Sequence, residues 1–301
     1  MKMLLTGASG FVGSILCPLL RKEYDVTTLG RGRVNDIVVD LTINAPVFPG
    51  SFDIVLHAAG KTYVRHRSKN EWQEFYDVNV QGTKNLCRAL ERSGVPERFV
   101  FLSSVAVYGC VEGEDVTEEA PLNGTHPYAQ SKIIAERYLS EWCTVHGVAL
   151  TILRPALIAG PNPTGNLGAM IRGLKRGFYF RVGNGETRKS VVMAQDIVTL
   201  VRLTSEKPGI YNVTDGRHPS LAELEDVICR QMGRNGPLSV PLWFARILAR
   251  CGDMAGSRVP INSLKLEKLT KTLTYSNKKA VELLGWKPVD VLNSFKLFTE
   301  C

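Results

Sequence analysis

A tyrosine and a lysine four residues apart, in Tyr128-Ala-Gln-Ser-Lys132, fall on one face of a helix, so both can point at one reacting centre. A free tyrosine, with a pKa of about 10, carries protons poorly at neutral pH. A neighbouring ammonium favours the phenolate and brings that pKa toward the working range. Ser104, in the run Phe101-Leu-Ser-Ser-Val-Ala-Val-Tyr-Gly109, offers a hydroxyl that can hold the same substrate oxygen. Ser104, Tyr128 and Lys132 are therefore the candidate catalytic residues, with Ser104 and Tyr128 also candidate substrate contacts. The chemistry they suit is a proton relay between a carbonyl and an alcohol.

A second constellation lies at the amino terminus. The apolar run Lys2 to Leu5 leads into Thr6-Gly7-Ala8-Ser9-Gly10-Phe11-Val12-Gly13, and helical apolar spacing continues through Ile15, Leu16, Leu19 and Leu20. Strand, glycine turn and helix form the context in which such glycines cradle a dinucleotide. Gly7 permits the tight turn, Gly10 lets backbone approach a pyrophosphate, and Gly13 allows close packing of helix on strand. The alternative is a glycine turn with no ligand.

These pieces need a scaffold, and short apolar runs alternating with amphipathic stretches supply it. Strands are expected at Lys2–Thr6, Asp25–Leu29, Ile37–Val39, Ile54–Ala58, Phe99–Ser103 and Ala149–Leu153. Helices are expected at Phe11–Lys22, Asn79–Arg92 and Tyr128–His146. The alternation predicts an α/β fold, a Rossmann-type doubly wound parallel sheet. Pro155 and Gly160-Pro-Asn-Pro-Thr-Gly165 break the pattern. Later helices, near Asn166–Arg176, Leu221–Met232, Leu242–Cys251 and Asn277–Leu284, suggest a smaller, discontinuous substrate-binding region. The division expected is 1–160, with parts of 186–215, for the dinucleotide and mainly 161–301 for the substrate. Leu242–Cys251 could lie on a membrane surface, but its plainer reading is a packed helix with exposed arginines.

The chain has 301 residues, 44% of them hydrophobic and 22% charged, as in ordinary globular proteins. No apolar run reaches the ~18 residues of a membrane span. The glycine turn begins at residue 6, which leaves no room for a signal peptide. Seven cysteines without CxxC spacing suggest reduced thiols in a cytoplasmic protein. Cys110, beside Tyr108, reads as a small buried hydrophobe, the alternative being a place near the site. No Cys/His spacing suits zinc, so no metal is expected. The net charge of +8 admits anionic partners. The densest basic stretch is Lys61 to Lys69, with Arg65, His66 and Arg67 inside it. No nucleic-acid motif accompanies it, so nucleic acid is not an expected partner.

The glycine turn, Ser104 and Tyr128-x-x-x-Lys132 together resemble the extended short-chain dehydrogenase/reductase superfamily, in its nucleotide-sugar epimerase/dehydratase branch. Further matching pieces are His57-Ala-Ala-Gly60, Asn79-Val-Gln-Gly-Thr-Lys-Asn85, Arg154-Pro155 and Leu284-Gly-Trp-Lys-Pro288. The resemblance implies that Tyr128 is the general acid/base and that Lys132 lowers its pKa and holds the nicotinamide ribose. It implies a cofactor site of Gly7, Ser9, Gly10, Phe11, Val12, Gly13, Asp40, Leu41, His57, Ala58 and Ala59, with Asp40 on the adenine amino group. It also implies that Asn166 and either Arg188 or Lys189 hold a substrate diphosphate, and that the protein forms a homodimer through the helices at 79–92 and 128–146.

In this fold an acidic residue at the end of the second strand accepts the ribose hydroxyls of NAD. Here the strand ends in Gly30-Arg31-Gly32-Arg33. A guanidinium suits a 2′-phosphate, so NADP(H) is expected over NAD(H), with Arg31 the main contact and Arg33 beside it. Dehydratases of this branch place an Asp-Glu pair after the catalytic serine or threonine, whereas Val105 and Ala106 cannot transfer protons. A 4-ketoreductase of UDP-4-keto-6-deoxy-N-acetylhexosamines, in surface-polysaccharide precursor synthesis, is the leading expectation. Alternatives are a UDP-sugar 4-epimerase with retained cofactor and, from another class, a non-catalytic NADP-binding sensor or scaffold.

Overall fold

Met3, Leu4 and Leu5 are wholly buried, as are Ile54, Val55 and Leu56. Runs shielded on both faces belong to a parallel sheet covered by helices on either side. A computed structural model describes residues 1–62, 70–254 and 261–297. Its first half runs β1 (Lys2–Thr6), α1 (Phe11–Leu20), β2 (Asp25–Gly30), β3 (Ile37–Val38), β4 (Ile54–His57), α2 (Glu71–Tyr76), α3 (Gly82–Ser93), β5 (Arg98–Leu102), β6 (Gly113–Val116) and α4 (Pro127–His146). The second half runs β7 (Ala149–Pro155), β8 (Leu157–Ala159), α5 (Gly165–Arg176), β9 (Arg181–Val182), β10 (Val191–Met193), α6 (Asp196–Leu203), β11 (Ile210–Val213) and α7 (Leu221–Gln231). It ends with β12 (Ser239–Val240), α8 (Leu242–Met254), α9 (Ser263–Thr270), β13 (Leu273–Tyr275), α10 (Lys278–Leu284) and α11 (Val291–Ser294).

Seven strands form one sheet in the order β11-β7-β5-β4-β1-β2-β3, and every pairing in it is parallel. The order reverses between β1 and β4, so the loops after these strands diverge and open a crevice at their carboxyl ends. Register places Thr6 opposite His57, and His57 opposite Phe101. One core packs Leu16, Leu20, Ile197 and Leu200 on one face of this sheet, and another packs Leu86, Leu90, Leu139 and Trp142 on the other. A third cluster joins α5, α7 and α11.

The expected strands and first helices form within a residue or two of their predicted ends. Four differences bear on function. The helix expected from Asn79 begins at Glu71 and passes through a π-helical turn, Asp77–Gln81, a feature that periodicity does not reveal. The sheet gains β11 from the second half, and Ala280 and Trp286 join the main core, so late segments help to build the sheet's surroundings. Cys110 is only partly buried. The helix at Leu242 packs through Ala245 and Ala249 and exposes its arginines, as expected, but it also exposes Trp243, Phe244, Ile247 and Leu248, which that reading did not anticipate. Among the described residues no helix is long and apolar enough to cross a membrane, and no cluster could hold a metal ion. Residues 63–69 of the basic stretch, including Arg65, His66 and Arg67, lie outside the described residues.

Candidate active site

The glycine loop is held by contacts that leave no room for side chains. Gly7 has φ +76°, and a Cβ there would sit 2.6 Å from the Ala59 nitrogen. A Cβ on Gly13 would sit 2.1 Å from the Gly7 carbonyl, so α1 packs against the turn only because Gly13 lacks one. Gly10 caps α1 with no side-chain hydrogen bond, and Ser9 and Gly10 are exposed. A bare helix amino end beside an unobstructed turn is what a pyrophosphate requires. The residues present thus fit a dinucleotide, with Phe11 and Val12 partly buried in the first turn.

His57 is engaged on both ring nitrogens. It is 1% exposed, and its ring lies between Thr6 and Thr83. Thr83 Oγ1 donates to the Asn79 carbonyl at 2.7 Å, so it accepts from His57 Nε2 at 2.9 Å. The Ala59 amide donates to Thr6 Oγ1 at 3.1 Å, and Thr6 donates to His57 Nδ1 at 2.6 Å. Each hydroxyl both accepts and donates, and the imidazole is neutral with its proton on Nε2. Burial and the Lys132 charge depress its pKa to about 3. His57 is a strut that ties the glycine turn to the π turn, while Ala58 and Ala59, just after β4, pack against Gly7.

Ser104 starts the short 3-10 turn Val105–Tyr108, and its Oγ accepts the Ala106 amide at 3.2 Å. Tyr128 is the second residue of α4, where Pro127 sets the first helical position and His126 Nδ1 accepts the Tyr128 amide. The Tyr128 and Ser104 hydroxyls hydrogen-bond each other, and this bond opposes burial, which raises the tyrosine's pKa above its ordinary value. Lys132 lies one turn along, 4% exposed. Its Nζ donates to the Leu102 carbonyl at 2.8 Å and stands 4.5 Å from the Phe101 ring centre. Burial lowers its pKa to about 8, against a smaller upward pull from Glu136. The expected lowering of the Tyr128 pKa by Lys132 is not seen here: burial sets the direction, opposed by Ser104 alone.

Residues that the sequence reading did not place in the site complete its wall. Asn79, inside the π turn, donates to Ser131 Oγ at 2.8 Å and to the Lys61 carbonyl at 3.0 Å, and its Oδ1 accepts the Lys61 amide at 2.8 Å. Ser131 in turn donates to the Tyr128 carbonyl at 2.8 Å. A π turn can re-aim one side chain of a helix, and here it clamps the loop after β4 onto the helix that carries Tyr128. Beneath lies a buried ion pair. Arg154 on β7 holds Glu136 through Nε at 3.1 Å and Nη2 at 2.6 Å. Glu136 also accepts the Ser103 hydroxyl, and Arg154 donates to the Tyr108 hydroxyl at 3.0 Å.

The remaining candidates are more scattered. Arg31 and Arg33 are exposed in the loop after β2. A carboxylate does come near that strand: Asp36 accepts the Thr28 amide and hydroxyl, each at 2.8 Å, which holds its pKa low. It is engaged with the strand's own edge. Beside it Asn35, 6% exposed, has an Oδ1 with no partner. Asp40 Oδ1 accepts the Thr42 amide at 2.9 Å, and the Leu41 carbonyl accepts Asn85 at 2.7 Å. Asn166 is exposed in the first turn of α5. Arg188 donates to the His218 carbonyl at 3.0 Å, and Lys189 Nζ to the Lys271 carbonyl at 2.7 Å. Burial, with Lys268 nearby, lowers the Lys189 pKa to about 8. No hydrogen bond or ion pair among the described residues joins Asn166, Arg188 or Lys189 to the Ser104–Tyr128–Lys132 group. An open hollow of about 430 Å³ lies among Val182–Thr187, Leu242, Thr270 and Thr272, and none of those three catalytic candidates lines it.

Residues 3–214 match the NAD dependent epimerase/dehydratase family. The chain belongs to that family. Its similarity to an N-acetyl-alpha-D-glucosaminyl-diphospho-ditrans,octacis-undecaprenol 4-epimerase of Escherichia coli O157:H7 is 27% identity, covering 92% of this chain and 88% of that one. With a GDP-6-deoxy-D-mannose reductase of Pseudomonas aeruginosa it shares 28% identity, covering 75% and 79%. The solved structure of RMD from Pseudomonas aeruginosa, complexed with NADPH, superimposes with a TM-score of 0.73 over 98% of this chain and 96% of that chain, at 22% identity. This family of nucleotide-sugar epimerases and reductases thus includes the present enzyme, and the shared fold is the Rossmann type.

Proposed function

We propose that the enzyme reduces the 4-keto group of a UDP-4-keto-6-deoxy-N-acetylhexosamine with NADPH, as a step in making surface-polysaccharide precursors. The observations that support this reading are the Ser104–Tyr128 hydrogen bond, Lys132 buried one turn along the same helix, and a glycine turn whose neighbouring β2 loop bears arginines and whose nearby carboxylate, Asp36, is engaged with Thr28. The bound nicotinamide supplies hydride. Ser104 would hold the ketone oxygen and Tyr128 would give it a proton, so that with the hydride a bound NADPH would supply the ketone becomes an alcohol. Lys132, released from Leu102, stabilises the resulting phenolate and holds the nicotinamide ribose. Gly7, Gly10 and Gly13 would admit the pyrophosphate, Arg31 and Arg33 would take the 2′-phosphate, and Asp40 would take the adenine. Asn166 with Arg188 or Lys189 takes the substrate diphosphate, once these cations leave the carbonyls they now hold. Val105 and Ala106 carry no proton and offer nothing to a dehydration.

A second reading, 4-epimerisation with retained cofactor, is favoured by one observation: the Escherichia coli relative that matches over most of both chains is an epimerase, and its sugar is carried on a lipid diphosphate. The discriminating experiment supplies the UDP-4-keto sugar with NADPH or NADH. One cofactor oxidised per sugar, faster with NADPH, is expected, and Arg31→Ala should remove most of that preference, about tenfold or more for a lost charge-assisted contact. No net oxidation, with interconversion of UDP-hexoses instead, overturns the reductase reading.

A further inference from the structure

The helix α8 turns its apolar side chains away from the protein. At about 100° per residue, Ala245, Ala249 and Gly252 form one narrow stripe, and these are its buried residues. The stripe packs with Leu266, Val182 and Val240. On the opposite face stand Trp243, Ile247 and Met254, which are 64%, 51% and 91% exposed. Phe244 and Leu248 extend this face on one flank, and Arg246 and Arg250, both exposed, border it on the other. Neither arginine has an ion-pair partner among the described residues. Just before β9 and β12, the ribbon that leads into α8, Phe180 and Leu238 are also 47% and 75% exposed. An apolar face of this extent marks an interaction surface rather than ordinary scatter.

We propose that α8 seats the protein on an anionic phospholipid surface, with Trp243 and Ile247 in the headgroup layer and Arg246 and Arg250 against the phosphates. Aromatic and aliphatic anchors bordered by arginines are the make-up of an interfacial helix. At 13 residues the helix is about 20 Å long, short of the ~30 Å hydrocarbon core, so it lies on a bilayer and does not span one. Charge decides against a second copy as the occupant. The only carboxylate on α8, Asp253, is taken by the amide and hydroxyl of Ser263. Two such helices face to face would therefore confront arginines with no acid to answer them. Anionic lipid supplies that missing charge. Leu242, the first residue of α8, also lines the open hollow described above, so a seated helix holds that hollow beside the lipid surface.

Co-sedimentation tests this with the full chain and vesicles of phosphatidylcholine alone, or of equal parts phosphatidylcholine and phosphatidylglycerol, at low and high salt. The expected result is binding to the anionic vesicles that weakens with salt. Trp243→Ser with Ile247→Ser, and separately Arg246→Glu with Arg250→Glu, should each weaken binding about tenfold or more. Both variants should keep the wild-type melting temperature and the turnover of soluble substrate, which separates this test from that of the reaction. Absence of vesicle binding by the wild type overturns the proposal, as does binding that neither variant weakens. A wild-type dimer that the Trp243/Ile247 variant converts to monomer, without vesicle binding, assigns the face to a second copy and likewise overturns it.

Discussion

Tyr128 is held protonated and Lys132 is held near the edge of losing its charge. Burial raises the first, with only the Ser104 hydrogen bond against it, and burial brings the second down to about 8. A reduction needs the phenol's proton and the ammonium's charge together, and Lys132 is the first of the pair to fail as pH rises. The kcat/KM for carbonyl reduction is expected to fall above pH about 8, approaching tenfold per unit. A pH–rate profile checks this, and a flat profile up to the ordinary tyrosine range, about 10, contradicts it. Tyr128→Phe should lower turnover about a hundred- to ten-thousand-fold, the usual worth of a positioned acid, with cofactor binding retained. His57 makes a separate prediction about stability. The native ring stays neutral down to about 3, whereas the unfolded ring takes a proton below its ordinary 6.5. The unfolded chain therefore binds the extra proton between these values, and stability is lost as pH falls through that window, approaching tenfold in the folding constant per unit. Asp196, pushed by burial to about 6, contributes the opposite slope above its ordinary 3.8, so the measurement is a difference. Denaturant melts of His57→Gln, less stable overall, should show a shallower acid slope than wild type; equal slopes contradict the strut.

At the scale of elements, α4 is a carrier for the chemistry because β5, β7 and the π turn each grip it. Glu136, one turn beyond Lys132, links the helix to Arg154 on β7 and to Ser103 beside Ser104. A buried pair stripped of one partner leaves an uncompensated charge, at a cost of about 3–5 kcal/mol. Glu136→Gln is expected to destabilise by roughly that amount and, by removing the charge that raises the Lys132 pKa, to move the alkaline fall in turnover to lower pH. A melting curve and a pH–rate profile read the two effects separately, and an unmoved profile contradicts the link. The pieces of this machinery that could be read from sequence are those whose spacing is local. Tyr128 and Lys132 share a helical face at four residues' distance, and the glycines announce a turn by their lack of side chains. Asn79 could not be placed in the same way. Its aim depends on a π turn, and a helical wheel has no sign for one. The partners of His57 were hidden for a related reason: it ends β4, and its side chain bonds Thr6 and Thr83, residues 51 and 26 positions away along the chain.

Across the whole molecule, the sheet was legible because each strand is a short apolar run between turn residues. The order of those strands and the entry of β11 from the second half were not, since they rest on contacts between distant segments. In the second half, Arg188 and Lys189 are neighbours on an extended stretch and end on two different backbone carbonyls, a choice that adjacency in sequence leaves open. The apolar residues of α8 carried an ambiguity of another kind. A helix rich in Trp, Phe, Ile and Leu reads as core in composition, and only the burial of Ala245 and Ala249 shows which side faces in. The central claim, that the fold brings a proton donor and a hydride source to one ketone and releases the reduced sugar, rests on where a hydride ends. The most direct test supplies the UDP-4-keto sugar with NADPH carrying deuterium at the nicotinamide C4, each face in turn, and examines the product by mass spectrometry and NMR. One deuterium at sugar C4, from one face only and with one NADP+ formed per sugar, is the predicted result. An unlabelled product, or label absent from C4 while the cofactor pool stays reduced, contradicts it.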